Sequence, residues 1–213
     1  MKWKYLLRNP FRLFYLLLIR LPYFRFIRET TDYQCPIGWR NWFQHKILNK
    51  GGNRDAYWPV HPTSKVTNPK NILAGIDTCP GLMGGCYIQG LGKVYIGDYT
   101  QIASNVVIIS ANHDLYDTRK HISKEVRIGQ YCWLGANVAV MPGVELGNFT
   151  IVGAGAVVTR SFPDGYCVIA GNPAKVIRYL ERDKCVPFKN KVEYNGYIRS
   201  DKFEAYRKKN LNV

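Results

Sequence analysis

The chain has 213 residues, of which 46% are hydrophobic and 21% are charged. This composition is ordinary for a folded globular domain and excludes a disordered or fibrous chain. The 30 Lys and Arg residues outnumber the 15 Asp and Glu residues, which gives a formal net charge of +15. A surplus of this size attracts anions, a class that includes nucleic acid, anionic lipid and phosphorylated cofactors.

Residues 1–59 form a basic, aromatic N-terminal segment, and residues 1–28 contain no acidic side chain. The longest apolar run, residues 13–19, is far shorter than the roughly 20 residues of a transmembrane helix. No small-residue cleavage site of a signal peptide follows it. A helix over residues 3–21 would carry an apolar stripe beside Lys4, Arg8 and Arg12. Residues 1–28 therefore either lie on an anionic membrane surface or pack against the rest of the chain or a neighbouring subunit.

Six cysteines occur without a Cys-x-x-Cys pair or a spacing typical of zinc ligands. In a chain with no evident secretory signal, isolated cysteines favour reduced thiols. We therefore expect a cytoplasmic protein, with peripheral binding to the inner face of the membrane if residues 1–28 bind lipid.

Aliphatic residues recur at every sixth position through the middle of the chain. The members of this column are Ile96, Ile102, Ile108, Ile128, Leu134, Val140, Leu146, Val152 and Val158. The residue after each is usually Gly or Ala. Strands alternate every two residues and helices repeat near 3.6, so a period of six predicts short strands joined by tight corners. Stacked coils of this kind bury one continuous aliphatic column. Val60, Val66 and Ile72 keep the same phase, so the repeat domain is predicted over residues 60–180.

The stretch from Ile96 to Leu180 resembles the hexapeptide-repeat acyltransferases, including galactoside, maltose, xenobiotic and polysaccharide O-acetyltransferases. Its last run, Ala170-Gly-Asn-Pro-Ala-Lys-Val-Ile-Arg178, is similar to the usual ending of that family. The resemblance implies an all-β fold, namely a left-handed parallel β-helix, with acetyl-CoA as acyl donor. It also implies a homotrimer with active sites between subunits. We expect a helical N-terminal segment and a short C-terminal extension over residues 181–213.

The repeat is interrupted once, because Ile108 and Ile128 are twenty residues apart and twenty is not a multiple of six. An excursion loop is therefore predicted over about residues 113–126, and it follows the run Ser110-Ala-Asn-His-Asp114. Loops on a rigid scaffold often carry function. A neutral imidazole can accept a hydroxyl proton at neutral pH, so His113 is the predicted general base. The resemblance implies the same role for His113.

Asn105 is the second catalytic candidate. The resemblance places an asparagine here against the acceptor or the pantetheine arm, where its amide could also hold an oxyanion. The alternative is an asparagine that tolerates the backbone of a tight corner. Asp77, Gln89 and Asp114 are the candidate acceptor-binding residues.

Trp133 comes just before an inward-pointing aliphatic, so its indole should point outward. The resemblance implies a contact with the cofactor arm, and packing in the trimer is the alternative. Basic residues and backbone amides would hold the phosphates of coenzyme A. The cofactor-binding candidates besides Trp133 are Gly135, Ala154, Thr159, Arg160, Lys175 and Arg178.

Two other classes of protein fit the repeat less well. A γ-type carbonic anhydrase needs three histidines around zinc, whereas only His113 and His121 lie near each other here, so no metal is expected. A non-enzymatic scaffold leaves the histidine-bearing loop and the basic ending unexplained. The resemblance implies an acetyl-CoA-dependent O-acyltransferase that acts on a saccharide or glycoconjugate hydroxyl in polysaccharide biosynthesis. No nucleic-acid partner is expected. Xenobiotic acetyltransferase and sugar N-acyltransferase activities are the alternatives.

Overall fold

A computed structural model describes Leu17 and residues 20–213. Its main body is a left-handed parallel β-helix with three flat faces. Face 1 contains β1 (Lys65–Thr67), β3 (Tyr87–Gln89), β6 (Val107–Ile109), β11 (Ala139–Val140) and β14 (Val157–Val158). Face 2 contains β2 (Ile72–Ala74), β4 (Val94–Ile96), β9 (Val126–Ile128) and β12 (Glu145–Leu146). Face 3 contains β5 (Gln101–Ile102), β10 (Trp133–Leu134), β13 (Thr150–Val152), β15 (Cys167–Ala170) and the antiparallel β16 (Lys175–Tyr179). The predicted fold class is confirmed.

The period of six sets the register of the faces. Ile108 lies opposite Val140, and Val140 lies opposite Val158, so equivalent aliphatics stack from coil to coil. All nine members of the predicted column are buried. The small residue after each aliphatic lets neighbouring coils approach: a Cβ added at Gly97 would lie 2.6 Å from the carbonyl carbon of Gly129.

The chain turns sharply at three edges, which we name by the faces that they join. Asn105 and Asn137 turn edge 3–1 with left-handed backbone, at φ 60°. Aromatic residues occupy the equivalent left-handed positions of edge 2–3. Their rings stack along the axis with centroid separations of 5.3, 4.8 and 5.1 Å. This aromatic ladder consists of Tyr99, Tyr131, Phe149 and Tyr166.

A second hydrophobic core lies outside the β-helix. It joins residues 20–54 to residues 192–199, and we call these two segments the cap. The buried side chains of this core are Phe24, Phe26, Ile27, Tyr33, Ile37, Trp42 and Tyr194. The Tyr33 hydroxyl donates to the Val192 carbonyl at 2.5 Å, so the two segments are also linked by a hydrogen bond. Residues 20–54 thus pack together with part of the C-terminal extension.

Short helices make up most of the cap. They are a 3-10 turn at Pro22–Phe24, α1 (Arg25–Glu29), α2 (Trp39–Trp42), a π-helical turn at Phe43–Ile47 and a 3-10 turn at Lys50–Gly52. The cap also contains the hairpin of β17 (Tyr194–Asn195) and β18 (Ile198–Arg199). The rest of the chain adds 3-10 turns at Pro69–Asn71 and Arg182–Lys184 and the helix α3 (Ser200–Asn210). The predicted apolar stripe lies almost entirely in residues 1–16, 18 and 19, outside the described residues. Among the described residues, no helix is both long and apolar enough to cross a bilayer.

Candidate active site

The excursion is an antiparallel hairpin at edge 1–2. It leaves the β-helix after β6 and consists of β7 (Ala111–His113) and β8 (His121–Ser123). The helix then resumes in phase, because Ile128 of β9 lies opposite Ile96 of β4. The inserted residues therefore leave the stacking of the coils intact.

Hydrogen bonds fix the base of the hairpin to the preceding coil. The buried Ser110 hydroxyl donates to the Gln89 carbonyl at 2.6 Å and accepts from the Gly92 amide at 2.9 Å. The side-chain Oε1 of Gln89 accepts from the Ala111 amide at 2.9 Å. The Lys124 amide closes the base by donating to the Ser110 carbonyl at 2.8 Å. Gln89 thus positions the strand that carries His113.

The imidazole of His113 is exposed at the end of β7. Its Nδ1 donates to the Thr118 carbonyl. Because a carbonyl only accepts, this bond places the ring proton on Nδ1 and leaves the Nε2 lone pair available. His121 lies directly opposite in the hairpin, and the two ring centroids are 4.4 Å apart. The sequence analysis gave His121 no role, since nothing in the pattern fixes the pairing of the two strands.

Asp114 shapes the tip of the hairpin. Its Oδ1 accepts from the amides of Tyr116 and Asp117 at 2.8 and 2.9 Å, and these bonds lower the pKa of its carboxyl group. Leu115 and Tyr116 at the tip are 90% and 99% exposed. The tip therefore offers apolar surface, while the Asp114 carboxylate is engaged in holding the turn.

Five of the remaining predicted residues divide between two edges on either side of face 1. Thr159 and Arg160 follow β14 on edge 1–2, the edge that bears the hairpin. Asn105, Gly135 and Ala154 lie along edge 3–1. A Cβ at Gly135 would come within 2.8 Å of the Ala154 amide nitrogen, so these two coils pack backbone to backbone. No hydrogen bond within the described part of the chain joins the two groups.

Trp133 projects from face 3 and is 52% exposed. It shares a row across the strands with Ile151, Val168 and Arg178. Lys175 begins β16 at the end of the same face. Two cavities flank the indole. One, of about 400 Å³, lies against the aromatic ladder, and the other, of about 230 Å³, lies against Cys35 and Met83.

Gln34 lines both of these cavities. Its Nε2 is buried and has no hydrogen-bond partner among the described residues. A buried amide without a partner is uncommon in folded proteins. The sequence analysis missed Gln34, because it lies in the cap, outside the repeat.

Asp77 is 2% exposed and belongs to the joint between cap and β-helix. Its carboxylate accepts from the amides of Gln34 and Cys35 at 3.1 and 3.0 Å and from Asn190 Nδ2 at 2.9 Å. Burial raises the pKa of this carboxyl group. Its oxygens are thus occupied by the chain itself, and the geometry gives Asp77 a structural role.

In the part of the chain that the structure describes, no cluster of three or more His, Cys, Asp or Glu residues is arranged to hold a metal ion. Among the described residues, His113 and His121 form a pair without a third such ligand.

The comparisons with known proteins agree with this architecture. Residues 125–160 match the family model described as bacterial transferase hexapeptide (six repeats). The β-helix therefore contains, over these residues, the hexapeptide repeats that this model describes. A crystal structure of galactoside acetyltransferase in complex with coenzyme A is 28% identical over 70% of this chain and 81% of that chain, with a TM-score of 0.56. The β-helix therefore shares its fold with a protein that was crystallised in complex with coenzyme A.

Two further relatives match shorter stretches. Nodulation protein L of Rhizobium meliloti (strain 1021) is 42% identical over 99 residues, which are 43% of this chain and 54% of that protein. The crystal structure of a maltose O-acetyltransferase from Clostridium difficile 630 is 30% identical and covers 55% of this chain and 64% of that chain, with a TM-score of 0.48. The chain thus spans less than two thirds of each of these two proteins.

Proposed function

We propose that the protein is an acetyl-CoA-dependent O-acyltransferase that acetylates a saccharide or glycoconjugate hydroxyl, with His113 as general base. The observation that carries the proposal is the His113 ring, whose Nδ1 is engaged by the Thr118 carbonyl and whose Nε2 is left free. The likeness to galactoside acetyltransferase supports the donor, because that enzyme was crystallised with coenzyme A.

In the proposed reaction, Nε2 of His113 takes the proton of the acceptor hydroxyl while the hydroxyl oxygen attacks the thioester carbonyl. The Thr118 carbonyl stabilises the imidazolium that forms, because it accepts from Nδ1–H. The C–S bond then breaks, and the imidazolium returns the proton to the departing sulfur. The thiolate is a good leaving group, so the chain needs no serine or cysteine nucleophile.

We propose a homotrimer in which each active site lies between subunits. The division of the candidate residues supports this arrangement: His113 lies on edge 1–2, whereas Asn105 lies on edge 3–1 and Trp133 on face 3. A second copy can bring one group against the other. Light scattering at micromolar concentration should report three chains, and an active monomer would contradict this proposal.

We propose that the cofactor arm lies beside Trp133, with Lys175 and Arg178 near its phosphates. The cavities that flank the indole and the unpartnered Nε2 of Gln34 support this position, since the arm carries amide carbonyls. K175E together with R178E should raise the KM for acetyl-CoA more than it lowers kcat, because phosphate contacts bind ground state and transition state about equally. An unchanged KM in a correctly assembled protein would remove both residues from the site.

We also propose a cytoplasmic enzyme whose cap binds the inner face of an anionic membrane. Several apolar side chains on the outside of the cap are between 38% and 68% exposed, and these are Leu21, Tyr23, Phe43, Ile47 and Leu48. Arg20, Arg25 and Lys50 lie in the same segments. Exposed apolar groups beside cations suit the headgroup region of an anionic bilayer.

The His113→Ala variant tests the mechanism. We expect a fall in kcat of about 10²–10⁴-fold, which is typical for loss of a general base. Thermal unfolding should be unchanged, because His113 is exposed on the hairpin. Lys184→Gln, an exposed change in the C-terminal extension, is the control and should retain activity. Thiol release from acetyl-CoA with a panel of saccharides gives the readout. Turnover close to wild type in H113A would show that another group removes the proton.

A further inference from the structure

A cleft of about 270 Å³ lies between the cap and the first coil, away from His113 and Trp133. One wall comes from the second helical stretch of the cap and the other from the corner that leads into β1. The lining residues are Arg40, Asn41, Gln44, Val60, His61, Pro62 and Leu82. The polar groups of this lining are one guanidinium, one imidazole and two amides, and no carboxylate is among them.

The π-helical turn brings three of these side chains together. Arg40 and Asn41 lie in α2, and Gln44 lies in the π-helical turn that continues it. The Leu48 amide donates to the Phe43 carbonyl five residues earlier at 3.0 Å, which widens this turn. Such widened turns are rare in proteins overall, and those that occur often lie at functional sites. His45, on the other side of the turn, is 1% exposed and bonded within the cap.

The Arg40 guanidinium has no carboxylate within 4.0 Å among the described residues. The residues outside the described part, 1–16, 18 and 19, contain no Asp or Glu at all. An arginine is always protonated in a protein, so this cleft carries a fixed positive charge without a counter-charge from the chain.

His61 presents a second donor to the same cleft. Its Nδ1 accepts from the Thr63 amide at 3.2 Å and lies 2.8 Å from the Thr63 hydroxyl. Because a backbone amide only donates, Nδ1 is unprotonated and the ring proton is on Nε2. No hydrogen bond within the described chain engages Nε2, so it remains free for a ligand.

We propose that this cleft binds the phosphate or diphosphate group of the acceptor, which would make the acceptor a phosphate-linked sugar. The cleft offers more hydrogen-bond donors than a two-oxygen carboxylate can use, whereas a phosphate has enough acceptor oxygens. These donors belong to Arg40, His61 Nε2 and the side-chain amides of Asn41 and Gln44. This assignment rests on the proposed function.

The cleft is connected to the candidate acceptor residue Asn105 along edge 3–1. The Thr63 hydroxyl, which contacts His61, accepts from the Gly85 amide at 3.1 Å. Gly85 packs directly on the Asn105 amide, since a Cβ at Gly85 would lie 2.0 Å from Asn105 Oδ1. A phosphate in the cleft would therefore hold the attached sugar at the edge where Asn105 lies.

Acceptor kinetics with Arg40→Gln test the assignment. Three acceptors that carry one and the same sugar are compared: a methyl glycoside, a nucleoside diphosphate sugar and a short-chain prenyl diphosphate sugar. For wild type, at least one diphosphate should have a KM about tenfold or more below that of the methyl glycoside, as expected for a charged hydrogen-bonded contact. R40Q should abolish this advantage and leave the KM for acetyl-CoA unchanged. The better of the two diphosphates identifies the source of the phosphate.

Arg28→Gln is the matched control, because it removes the same charge from an exposed residue of α1 that lines none of the cavities described above. It should keep the wild-type preference. Equal KM values for all three acceptors in wild type, or an unaltered preference in R40Q, would overturn the assignment while acyl transfer to sugars still stood.

Direct binding separates the assignment from the proposed function. Inorganic pyrophosphate is titrated into the full chain by isothermal titration calorimetry, with R40Q and H61A beside R28Q. We expect R40Q and H61A to weaken binding about tenfold and R28Q to leave it unchanged. Equal binding in all four proteins, or no binding to wild type, would refute the phosphate site whether or not the protein transfers acyl groups.

Discussion

The two hydrophobic cores of this protein are built on different rules. The core of the β-helix consists of aliphatic residues at fixed spacing, and each one stacks on its equivalent in the next coil. The core of the cap consists mainly of aromatic residues without a period, drawn from both ends of the described chain. The first core is local and repetitive, whereas the second depends on contacts across more than 150 residues. Regular spacing thus builds the scaffold, and long-range aromatic packing closes its end.

The largest difference between the cores should appear on truncation of the aliphatic column. Leu134 is fully buried, with coils on both sides. Leu134→Ala should lower the free energy of unfolding by about 2–5 kcal/mol, the usual range for a buried leucine that leaves a cavity. Leu115→Ala, at a site that is 90% exposed, should change it by less than about 0.5 kcal/mol. Urea unfolding measures both variants, and similar losses would show that the column is not the stabilising core.

The cap, unlike the aliphatic column, should respond to pH. Burial lowers the pKa of His45 from 6.5 to about 4, so the folded protein resists protonation of a ring that the unfolded chain protonates readily. The contribution of His45 to the free energy of unfolding is therefore fully present above about pH 6.5 and is lost as the pH falls towards about 4. The loss should be about 3 kcal/mol. The difference in unfolding free energy between wild type and His45→Gln should shrink across this window. A constant difference would contradict the assigned pKa.

A smaller change should loosen the cap alone. The Nε2–H of His45 donates to the Asn53 carbonyl at 2.7 Å, so its Nδ1 accepts from the Tyr197 hydroxyl at 2.9 Å. Tyr197→Phe leaves this buried acceptor unpaired, at a cost of about 1–3 kcal/mol. Hydrogen exchange should accelerate in residues 20–54 and remain slow in residues 126–158. Equal acceleration in both regions would show that the two cores unfold as one unit.

The smallest expected effect concerns the outer surface of the cap. Ile47 and Leu48 are each 49% exposed, so replacing both with Asn should spare the fold. The full chain should sediment with anionic vesicles at low salt, and the double variant, or a chain without residues 1–16, should sediment less. Each cation near the surface contributes about 1 kcal/mol, so high salt should release the protein. Sedimentation that is unaffected by either change would exclude this surface of the cap and residues 1–16 as the membrane contact.

The contrast between the cores also explains what the sequence could predict. The β-helix follows from a period that is visible in one dimension: Ile96 pairs with Ile128 because the inserted residues leave the phase of the coils unchanged. His113 follows from the interruption of that period between Ile108 and Ile128. The cap has no such period, and no pattern in the sequence predicts the contact between Tyr33 and Val192.

Individual site residues show the same limit. Spacing identified Trp133 as outward-pointing, and it is exposed. Spacing could not show that Asp77 is enclosed by Gln34, Cys35 and Asn190, since those partners come from segments outside the repeat. The sequence does contain a pattern that indicates the aromatic ladder, because Tyr99, Tyr131 and Phe149 each come three residues after a column aliphatic.

The aromatic ladder gives the protein a built-in optical probe. Its ring centroids are 4.8–5.3 Å apart, close to the spacing of neighbouring strands. Aromatic rings held in a chiral array at this distance couple electronically, so their near-ultraviolet circular dichroism should depend on the stacking of the coils. Separation of any two coils would interrupt the array. Local fraying of the β-helix can therefore be observed spectroscopically, without a label, while the rest of the protein stays folded.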